Sequence, residues 1–565
     1  MFRNFTLSLI ALFITFQSLA GDIPALIWQL QADKSALGRK YTLRESEEYY
    51  DRFQQLYQDY QTKLNKVDFE SLSSSQQVDY ILLKNQLDKE LYQLGLEKGD
   101  FDKVKGFGEF AEPLRIFIKD RRRGNRPDPQ EVAKTFQELS GEVKIQMERL
   151  TDSDEKMERW QLAEKASRMV EELQKNLEEA YGFYDGYDAE FSWWVAKPYG
   201  KLKESLKDYS EFIKDYYSTS SVKDDGSGIS GRPIGRDAIM ESLKHEFIPY
   251  TPEELVEIAE KEFAWSEEQM LKASEELGFG NDWKAALEHV KGTYFPIGEW
   301  PEEINRMAEE AVEFIEGKNL ITVPELAKET WRMRMMSPAE QRFAPFFLGG
   351  EVIQIAYPTD EMTHEEKMMS LRGNNPHFSR AVVHHELIPG HHLQQFMNQR
   401  FQTHRRMFYT PFWTEGWALY WEFNLWDKDF PRNAEDRVGM MFWRMHRSAR
   451  IIFSLNYHME KMTPQESIDF LVDRVGHERA NAEAEVRRSF EGRYGPLYQI
   501  AYMTGGLQFY HLKKELVDSG KMEEKEFHDR IMQENSIPVA LVRAILIDQD
   551  LDRDFGNDWK FYDKE

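Results

Sequence analysis

Residues 384–392 read His-His-Glu-Leu-Ile-Pro-Gly-His-His, so four of the fourteen histidines of the chain surround one glutamate. This block resembles the His-Glu-x-x-His motif of zinc hydrolases, in which two histidines one helical turn apart bind the metal and the glutamate acts as a base. Here His385 and Glu386 fit the motif, but Pro389 occupies the place of the second histidine. The chemistry that these residue types predict is hydrolysis at a zinc ion, provided that a second histidine reaches the metal.

The second histidine ligand is either His391 or His392, six and seven residues after His385. On a straight helix His391 points about 120° away from His385, and His392 lies about 10 Å along the axis, so neither shares an ion with it. Proline removes a helical hydrogen bond and glycine permits unusual backbone angles. We therefore expect Pro389 and Gly390 to bulge the helix and to swing His391 toward His385. The alternative is a helix that ends at Ile388, with the histidines satisfied elsewhere.

A third ligand is available in Glu415, which follows His391 with 23 residues between them. Glu415 and Glu422 are seven residues apart at the start of a predicted helix and share one face of it. Taken alone, Glu415 could be a helix N-terminal glutamate that the helix dipole favours. Together with the histidines, it predicts a site with two imidazoles and one carboxylate, which suits zinc. Glu422 is better placed to orient a histidine ligand than to bind the metal.

The composition of the chain excludes some classes of function. Its 565 residues include 41% hydrophobic residues, enough for a large core, and carry a formal net charge of −26. Nucleic-acid binding requires clustered Lys and Arg, and an anionic membrane surface also repels such a charge. We therefore expect neither partner. Oligomeric state is not predicted by these numbers.

The first twenty residues predict export. Arg3 precedes an apolar run at residues 7–16, and Ser18-Leu19-Ala20 supplies small residues before Gly21. This is the pattern of a secretory signal peptide, too short for a membrane span, and a buried N-terminal helix is the alternative. The chain has no cysteine for a lipid anchor or a disulfide. We expect an exported protein, periplasmic or secreted, with no stable membrane anchor.

The periodicity predicts a mainly α-helical chain. Residues 43–98, 129–181 and 202–220 carry apolar residues at three- and four-residue spacing, and Thr251 and Thr463 each begin a Thr-Pro-x-Glu helix start. Residues 351–357 alternate and are β-branched, which predicts a strand near the histidine block. A glycine-rich stretch at 224–235 is interpreted as a connecting loop. The predicted division is residues 1–20 for the signal peptide, 21–235 for an N-terminal helical lobe and 236–565 for a catalytic lobe.

Four motifs resemble those of the bacterial family catalogued as domain of unknown function 885, and the resemblance covers essentially the whole mature chain. They are His385 to Gln394, Glu415 to Tyr420 followed by Glu422, Arg450 with His458 and Thr463 to Glu466, and Pro496 through Tyr502 to Gly505. The family is similar to helical zinc peptidases of the neurolysin and angiotensin-converting-enzyme type. That similarity implies two helical lobes, a central channel and a small edge sheet near the metal. Departures from the third and fourth motifs, such as Leu497-Tyr498, leave substrate preference open.

The resemblance also implies roles for further residues. The zinc ligands become His385, His391 and Glu415, with Glu386 as the catalytic base. The first candidate for the hydrogen-bond donor that stabilises the oxyanion is Tyr502, the second is His458 and the third is Tyr498. Each tyrosine could equally pack in the core. His392, Glu422, Arg450 and Tyr498 become residues that support the ligands or bind substrate. Arg450 could hold a substrate carboxylate or form a structural ion pair.

The leading hypothesis is therefore a secreted zinc metallopeptidase that hydrolyses short peptides. A second hypothesis is a zinc hydrolase of a non-peptide amide or ester, since the same site serves both. A third is a helical protein that binds peptides or metal without catalysis.

Overall fold

The computed structural model describes residues 22–152, 157, 159–218, 225–341, 348–491 and 494–562. The predicted signal peptide at residues 1–20 lies outside these ranges. Within them the chain is mainly helical, as predicted. None of the helices described is both long enough and apolar enough to cross a membrane.

The N-terminal part of the chain forms a series of amphipathic helices. They are α1 (Ile23–Lys40), α2 (Glu47–Leu64), α3 (Ser74–Val104), α4 (Glu112–Arg121), α5 (Pro129–Thr151), α6 (Trp160–Tyr184) and α7 (Ala189–Ser218). The predicted helical stretch 43–98 contains α2 and most of α3. Ser46 and Ser73 begin them, because each serine side chain accepts a hydrogen bond from a backbone N–H of the first turn.

The C-terminal part carries the sequence motifs on helices as well. It contains α8 (Arg236–His245), α9 (Pro252–Glu276), α10 (Trp283–Lys291), α11 (Trp300–Gly317), α12 (Glu325–Thr330), α13 (Pro338–Gln341), α14 (His364–Gly373), α15 (Pro376–Glu386), α16 (His391–Asn398), α17 (Pro411–Asp427), α18 (Ala434–His458), α19 (Pro464–Phe470), α20 (Arg479–Phe490), α21 (Tyr498–Lys513), α22 (Glu524–Met532) and α23 (Val539–Leu546). Thr251 and Thr463 form the predicted capping boxes at the starts of α9 and α19. Residues 225–235 contain no helix or strand, as expected for a connecting loop.

A small parallel sheet lies beside the histidine block. It pairs β1 (Arg332–Met335) with β2 (Val352–Ile355), and Arg332 is opposite Val352. The strand predicted at 351–357 is confirmed at its centre. Its partner β1 gave no strand signal, because its alternating Arg and Met residues are largely exposed. The Gly350 N–H just before β2 donates to the Glu386 carbonyl oxygen at 3.1 Å, which fixes the sheet against the end of α15.

The largest hydrophobic core joins residues from both sides of the predicted boundary at 235. Leu83 of α3 and the buried Trp417 and Trp421 of α17 belong to the same cluster. Full burial of one side chain of the size of Phe stabilises the folded state by roughly 1.5–3 kcal/mol. The division into two lobes stays a prediction.

Helices α17 and α21, which carry Glu415 and Tyr502, meet backbone to backbone. A Cβ atom at Gly505 would lie 2.0 Å from the Phe412 carbonyl oxygen, and one at Gly416 would lie 2.5 Å from the Gly505 carbonyl carbon. Only glycine permits this approach, because any larger residue would separate the helices. The contact holds the glutamate of one helix beside the tyrosines of the other.

Candidate metal centre

The histidine block is split between two helices. Helix α15 ends at Glu386, and α16 begins at His391. Leu387 and Gly390 leave helical geometry, and the Ile388–Pro389 peptide bond is cis. The predicted bulged but continuous helix is therefore wrong in form. The break nevertheless brings the rings of His385 and His391 together, with 4.9 Å between their centroids.

The turn between the two helices requires a glycine and is fixed by α17. A Cβ atom at Gly390 would lie 1.8 Å from the His385 carbonyl oxygen, so the turn can close only without a side chain there. The Gly390 N–H donates to the His384 carbonyl oxygen at 2.9 Å. The Trp417 indole N–H donates to the Pro389 carbonyl oxygen at 2.9 Å. The two residues that interrupt the motif thus form a defined turn between its histidines.

His385, His391 and Glu415 converge on one point. Their ligand atoms all lie within 4.8 Å of one another. Glu415 Oε2 is 3.3 Å from His391 Nε2 and 3.7 Å from His385 Nε2. Ligands about 2.0–2.1 Å from a tetrahedral ion are about 3.4 Å apart, so the two distances to Glu415 are close to those that a zinc ion requires.

The electrostatics of this triad favour a cation. Glu415 is buried, and its Oε2 atom has no hydrogen-bond partner in the described part of the chain. Burial opposes its ionisation, but His391 and His385 outweigh this effect and hold its pKa well below the usual range. Burial likewise opposes the charge of His391, yet Glu415 raises the pKa of that imidazole to about 9. A buried carboxylate of this kind is stabilised by a positive charge at Oε2, either a proton on His391 or a metal ion.

Both imidazoles are oriented so that Nε2 faces the convergence point. His385 Nδ1–H donates to Glu422 Oε1 at 2.7 Å, and His391 Nδ1–H donates to Gln394 Oε1 at 3.3 Å. Gln394 is itself fixed, because its amide donates to the Thr414 carbonyl oxygen at 2.7 Å. Hydrogen bonds of this kind set the tautomer of a metal-binding histidine. The structure places Glu422 where the sequence predicts it, but Gln394 had no predicted role although it is three residues from His391.

We expect Glu422→Gln to weaken zinc binding about 10- to 100-fold, because it removes the carboxylate that orients His385. Competition with a chelating dye of known affinity measures the change. Asp427→Asn is the matched control, because Asp427 lies on the same helix α17, is exposed and accepts a hydrogen bond from Tyr510. Equal zinc affinity in Glu422→Gln and the wild type would contradict this role.

Two tyrosines of α21 contact the triad differently. The Tyr498 hydroxyl donates to Glu415 Oε1, which leaves Oε2 directed at the histidines. The Tyr502 ring lies nearly parallel to the His385 ring, with 6.3 Å between centroids. Burial raises the pKa of Tyr502 to about 12, so its hydroxyl keeps its proton and can donate a hydrogen bond. Tyr498 thus positions a ligand, and Tyr502, whose hydroxyl neighbours that of Tyr498, keeps a proton that it can donate.

Glu386 lies beside the triad in the wall of a cavity. Burial raises the pKa of its carboxyl group, although His385 and His391 partly offset this effect. A Cβ atom at Gly349 would lie 2.3 Å from Glu386 Oε2, so the loop before β2 can pass this carboxylate only with glycine at that position. A buried carboxyl of raised pKa beside a metal site can accept a proton and later release it.

The structure does not bring His392 or His458 to this cavity. His392 Nε2–H donates to the Ala327 carbonyl oxygen at 2.7 Å, and His392 is not among the residues that line the cavity. The ring of His458 packs against Tyr457 and Phe490 at the end of α18. The predicted roles of His392 near the ligands and of His458 as an oxyanion donor do not match these positions.

The cavity has a volume of about 620 Å³, and its described wall is rich in charge. The triad and Glu386 line it together with the tyrosines 409, 494, 498 and 502 and the arginines 406, 447, 450 and 488. Arg450 lies in this wall and donates through Nε to Glu485 Oε1 at 2.7 Å, so the predicted structural ion pair is present and its role toward a substrate carboxylate stays a prediction. Sequence reasoning missed Arg447 and Arg488.

Comparison with known proteins gives a family but no activity. The family model described as "Bacterial protein of unknown function (DUF885)" matches residues 33–546, which confirms the predicted family. No curated protein matches the chain. A candidate lipoprotein of unknown function from Shewanella oneidensis has a similar solved structure, with a TM-score of 0.68, 17% identity and coverage of 93% of this chain and 99% of that chain. A candidate lipoprotein from Colwellia psychrerythraea has a TM-score of 0.56, 16% identity and coverage of 94% and 98%. At these identities the likeness shows the shared fold.

Proposed function

We propose that this chain, which belongs to the DUF885 family, is an exported zinc-dependent peptidase that hydrolyses short peptides. The observation that carries the proposal is the convergence of His385, His391 and Glu415 around the unpaired Oε2 atom of the glutamate. Two imidazoles and one carboxylate form a known catalytic zinc set that leaves a coordination position open. Glu386 in the adjoining wall adds the base that hydrolysis needs.

The residues of the site supply each step of peptide hydrolysis. Zinc held by the triad would supply Lewis acidity, which lowers the pKa of water and polarises a carbonyl group. Glu386 takes a proton from the attacking water as the new C–O bond forms. The Tyr502 hydroxyl donates a hydrogen bond to the oxyanion that develops on the carbonyl oxygen. Glu386 then gives its proton to the leaving amine as the C–N bond breaks.

The size of the cavity supports a short peptide as the substrate. Ligand clefts commonly have volumes of about 300–1,000 Å³, and this cavity falls within that range. A folded protein could not enter such a space, whereas a few extended residues could. We also propose the two-lobed architecture of neurolysin-type peptidases, supported by the mainly helical fold and by the position of the cavity among α15, α17, α18 and α21.

Export is part of the proposal. The N-terminal signal-peptide pattern supports it, and both similar structures are described as candidate lipoproteins. Fractionation of cells that produce the full chain tests it. Recovery in the cytoplasmic fraction alone would contradict export.

We expect Tyr502→Phe to lower kcat about 10²- to 10³-fold with unchanged zinc content, because it removes one donor to the oxyanion and little else. Steady-state kinetics with a hydrolysed peptide measure this change. Tyr510→Phe is a control, since Tyr510 lies on the same helix α21 and its hydroxyl donates to Asp427 Oδ2 outside the cavity. If Tyr502→Phe keeps the wild-type kcat, this tyrosine is not the donor.

A substrate panel tests the function itself. Purified protein supplied with zinc is incubated with short peptides, amino-acid esters and non-peptide amides, and products are identified by mass spectrometry. We expect hydrolysis of peptides to exceed that of the other classes. Preferential hydrolysis of an ester or non-peptide amide would replace the peptidase proposal with the second hypothesis. If zinc-loaded protein hydrolyses none of these substrates, only the third hypothesis, binding of peptides or metal without catalysis, remains.

A further inference from the structure

Three arginines form a cationic cluster in the wall of the cavity: Arg447 and Arg450 from α18, and Arg488 from α20. Arg447 and Arg450 are only 5% and 3% exposed, and Arg488 is half-buried. Buried guanidinium groups require partners, because an unpaired buried charge is strongly destabilising. The partners of this arginine cluster therefore show whether the protein satisfies all of its guanidinium donors or leaves some for a ligand.

The described carboxylates do not satisfy every hydrogen-bond donor of the cluster. Arg450 Nε donates to Glu485 Oε1 at 2.7 Å, and Arg488 Nε is 3.2 Å from Oε2 of the same glutamate, so one carboxylate serves two guanidiniums. Arg447 Nη2 is 3.9 Å from Glu422 Oε1, an oxygen that already accepts the hydrogen bond from His385. In the described ranges, Arg447 Nε and Arg450 Nη1 have no hydrogen-bond acceptor. The cluster thus keeps guanidinium donors that can bind a ligand.

The cluster adjoins the candidate metal centre through Tyr502. The guanidinium carbons of Arg447 and Arg450 lie 4.6 and 4.5 Å from the centroid of the Tyr502 ring, which stacks beside His385. The positive charge of the arginines also affects their neighbours. Burial raises the pKa of Glu485, but Arg450 and Arg488 outweigh this and lower it to about 2. An anion bound at the cluster would lie next to the group that is cleaved at the metal.

We infer that the arginine cluster binds the C-terminal carboxylate of the peptide substrate, and that the enzyme therefore cleaves within the last two residues. This inference rests on the proposed function. Guanidinium groups bind carboxylates through two parallel hydrogen bonds, and this geometry suits a planar carboxylate better than a neutral amide. Hydrolysis adds water across the C–N bond, releasing the C-terminal fragment as a free amine that keeps its carboxylate at the cluster. An acidic side chain near the end of a peptide offers the same chemistry, and the experiment separates the two sources.

The hydrolysis experiment compares a short N-acetylated peptide as its C-terminal acid and as its C-terminal amide. We expect kcat/KM to be about 10- to 100-fold higher for the acid, with release of one or two C-terminal residues. Arg450→Gln should reduce this ratio toward one, while Glu485 keeps Arg488 as a partner. Arg437→Gln is the matched control, because it removes the same charge from the same helix at a residue that pairs with Glu276 outside the cavity. Equal rates for acid and amide, or cleavage at internal bonds, would overturn the inference and leave the peptidase proposal standing.

A third substrate identifies the source of the carboxylate. The peptide amide is prepared with Glu or Gln as its last residue. Similar low rates for both support recognition of the C-terminus. A Glu amide that is cleaved as fast as the peptide acid shows that the cluster reads an acidic side chain, and overturns the inference.

A binding measurement separates failure of this inference from failure of the proposed function. The Glu386→Gln protein, loaded with zinc, is titrated with the peptide acid and the peptide amide by calorimetry. At least about tenfold tighter binding of the acid, lost in Glu386→Gln/Arg450→Gln, supports the carboxylate subsite even if the wild type hydrolyses neither peptide. Equal binding of acid and amide overturns it, whatever the hydrolysis results.

Discussion

Replacement of Glu386 by Gln is expected to lower kcat for peptide hydrolysis about 10²- to 10⁴-fold without changing zinc content. The amide keeps the shape of the side chain but cannot take a proton from water. Because Glu386 is not one of the three converging residues, the metal site should stay intact. Steady-state kinetics and metal analysis of the same preparation measure both quantities.

Two controls make the Glu386 result specific. Glu365→Gln removes an equivalent charge from the exposed surface of α14 and should leave kcat unchanged. Circular dichroism and thermal unfolding check that Glu386→Gln is folded, since the residue is buried. An unchanged kcat would exclude Glu386 as the base. A low kcat accompanied by loss of zinc would instead identify Glu386 as necessary for metal binding.

The second large effect is expected at His391. His391→Ala should reduce bound zinc from about one ion per chain to nearly none and abolish hydrolysis, because it removes one of three protein ligands. The adjacent His392→Ala should keep both zinc and activity. These neighbours form a matched pair, as they are the same residue type at consecutive positions of α16.

The pair also separates metal binding from stability. His392→Ala removes the hydrogen bond to the Ala327 carbonyl oxygen and should lower the free energy of unfolding by about 1 kcal/mol. Metal analysis after dialysis and chemical denaturation measure the two effects. Loss of zinc in His392→Ala with retention in His391→Ala would contradict the assignment of the second histidine ligand.

Local sequence patterns predicted the helical stretches 43–98, 129–181 and 202–220, the capping boxes at Thr251 and Thr463 and the centre of β2. These features depend on residues within a few positions of one another. Glu422 could be predicted for the same reason, because seven residues on a helix return to the same face as Glu415. The form of the break at Pro389 could not, since it depends on the backbone angles of Leu387 and Gly390 and on contacts with α17.

The wall of the cavity depends on contacts between distant segments. Arg450 of α18 and Arg488 of α20 meet at Glu485, and the pair of Arg450 with Glu485 joins residues 35 positions apart, which no local pattern contains. Gly349 allows the loop before β2 to approach Glu386, although they are far apart in the sequence. His458 shows the opposite case. It shares a motif with Arg450, but eight residues along a helix place it about 12 Å farther along the axis.

The most direct test of the central claim is a crystal structure of the zinc-loaded protein with anomalous data collected on both sides of the zinc absorption edge. We expect one anomalous peak about 2.0–2.2 Å from Nε2 of His385, Nε2 of His391 and a carboxylate oxygen of Glu415. A zinc peak bound by other residues, or no peak among these three in protein that contains stoichiometric zinc, would contradict the account.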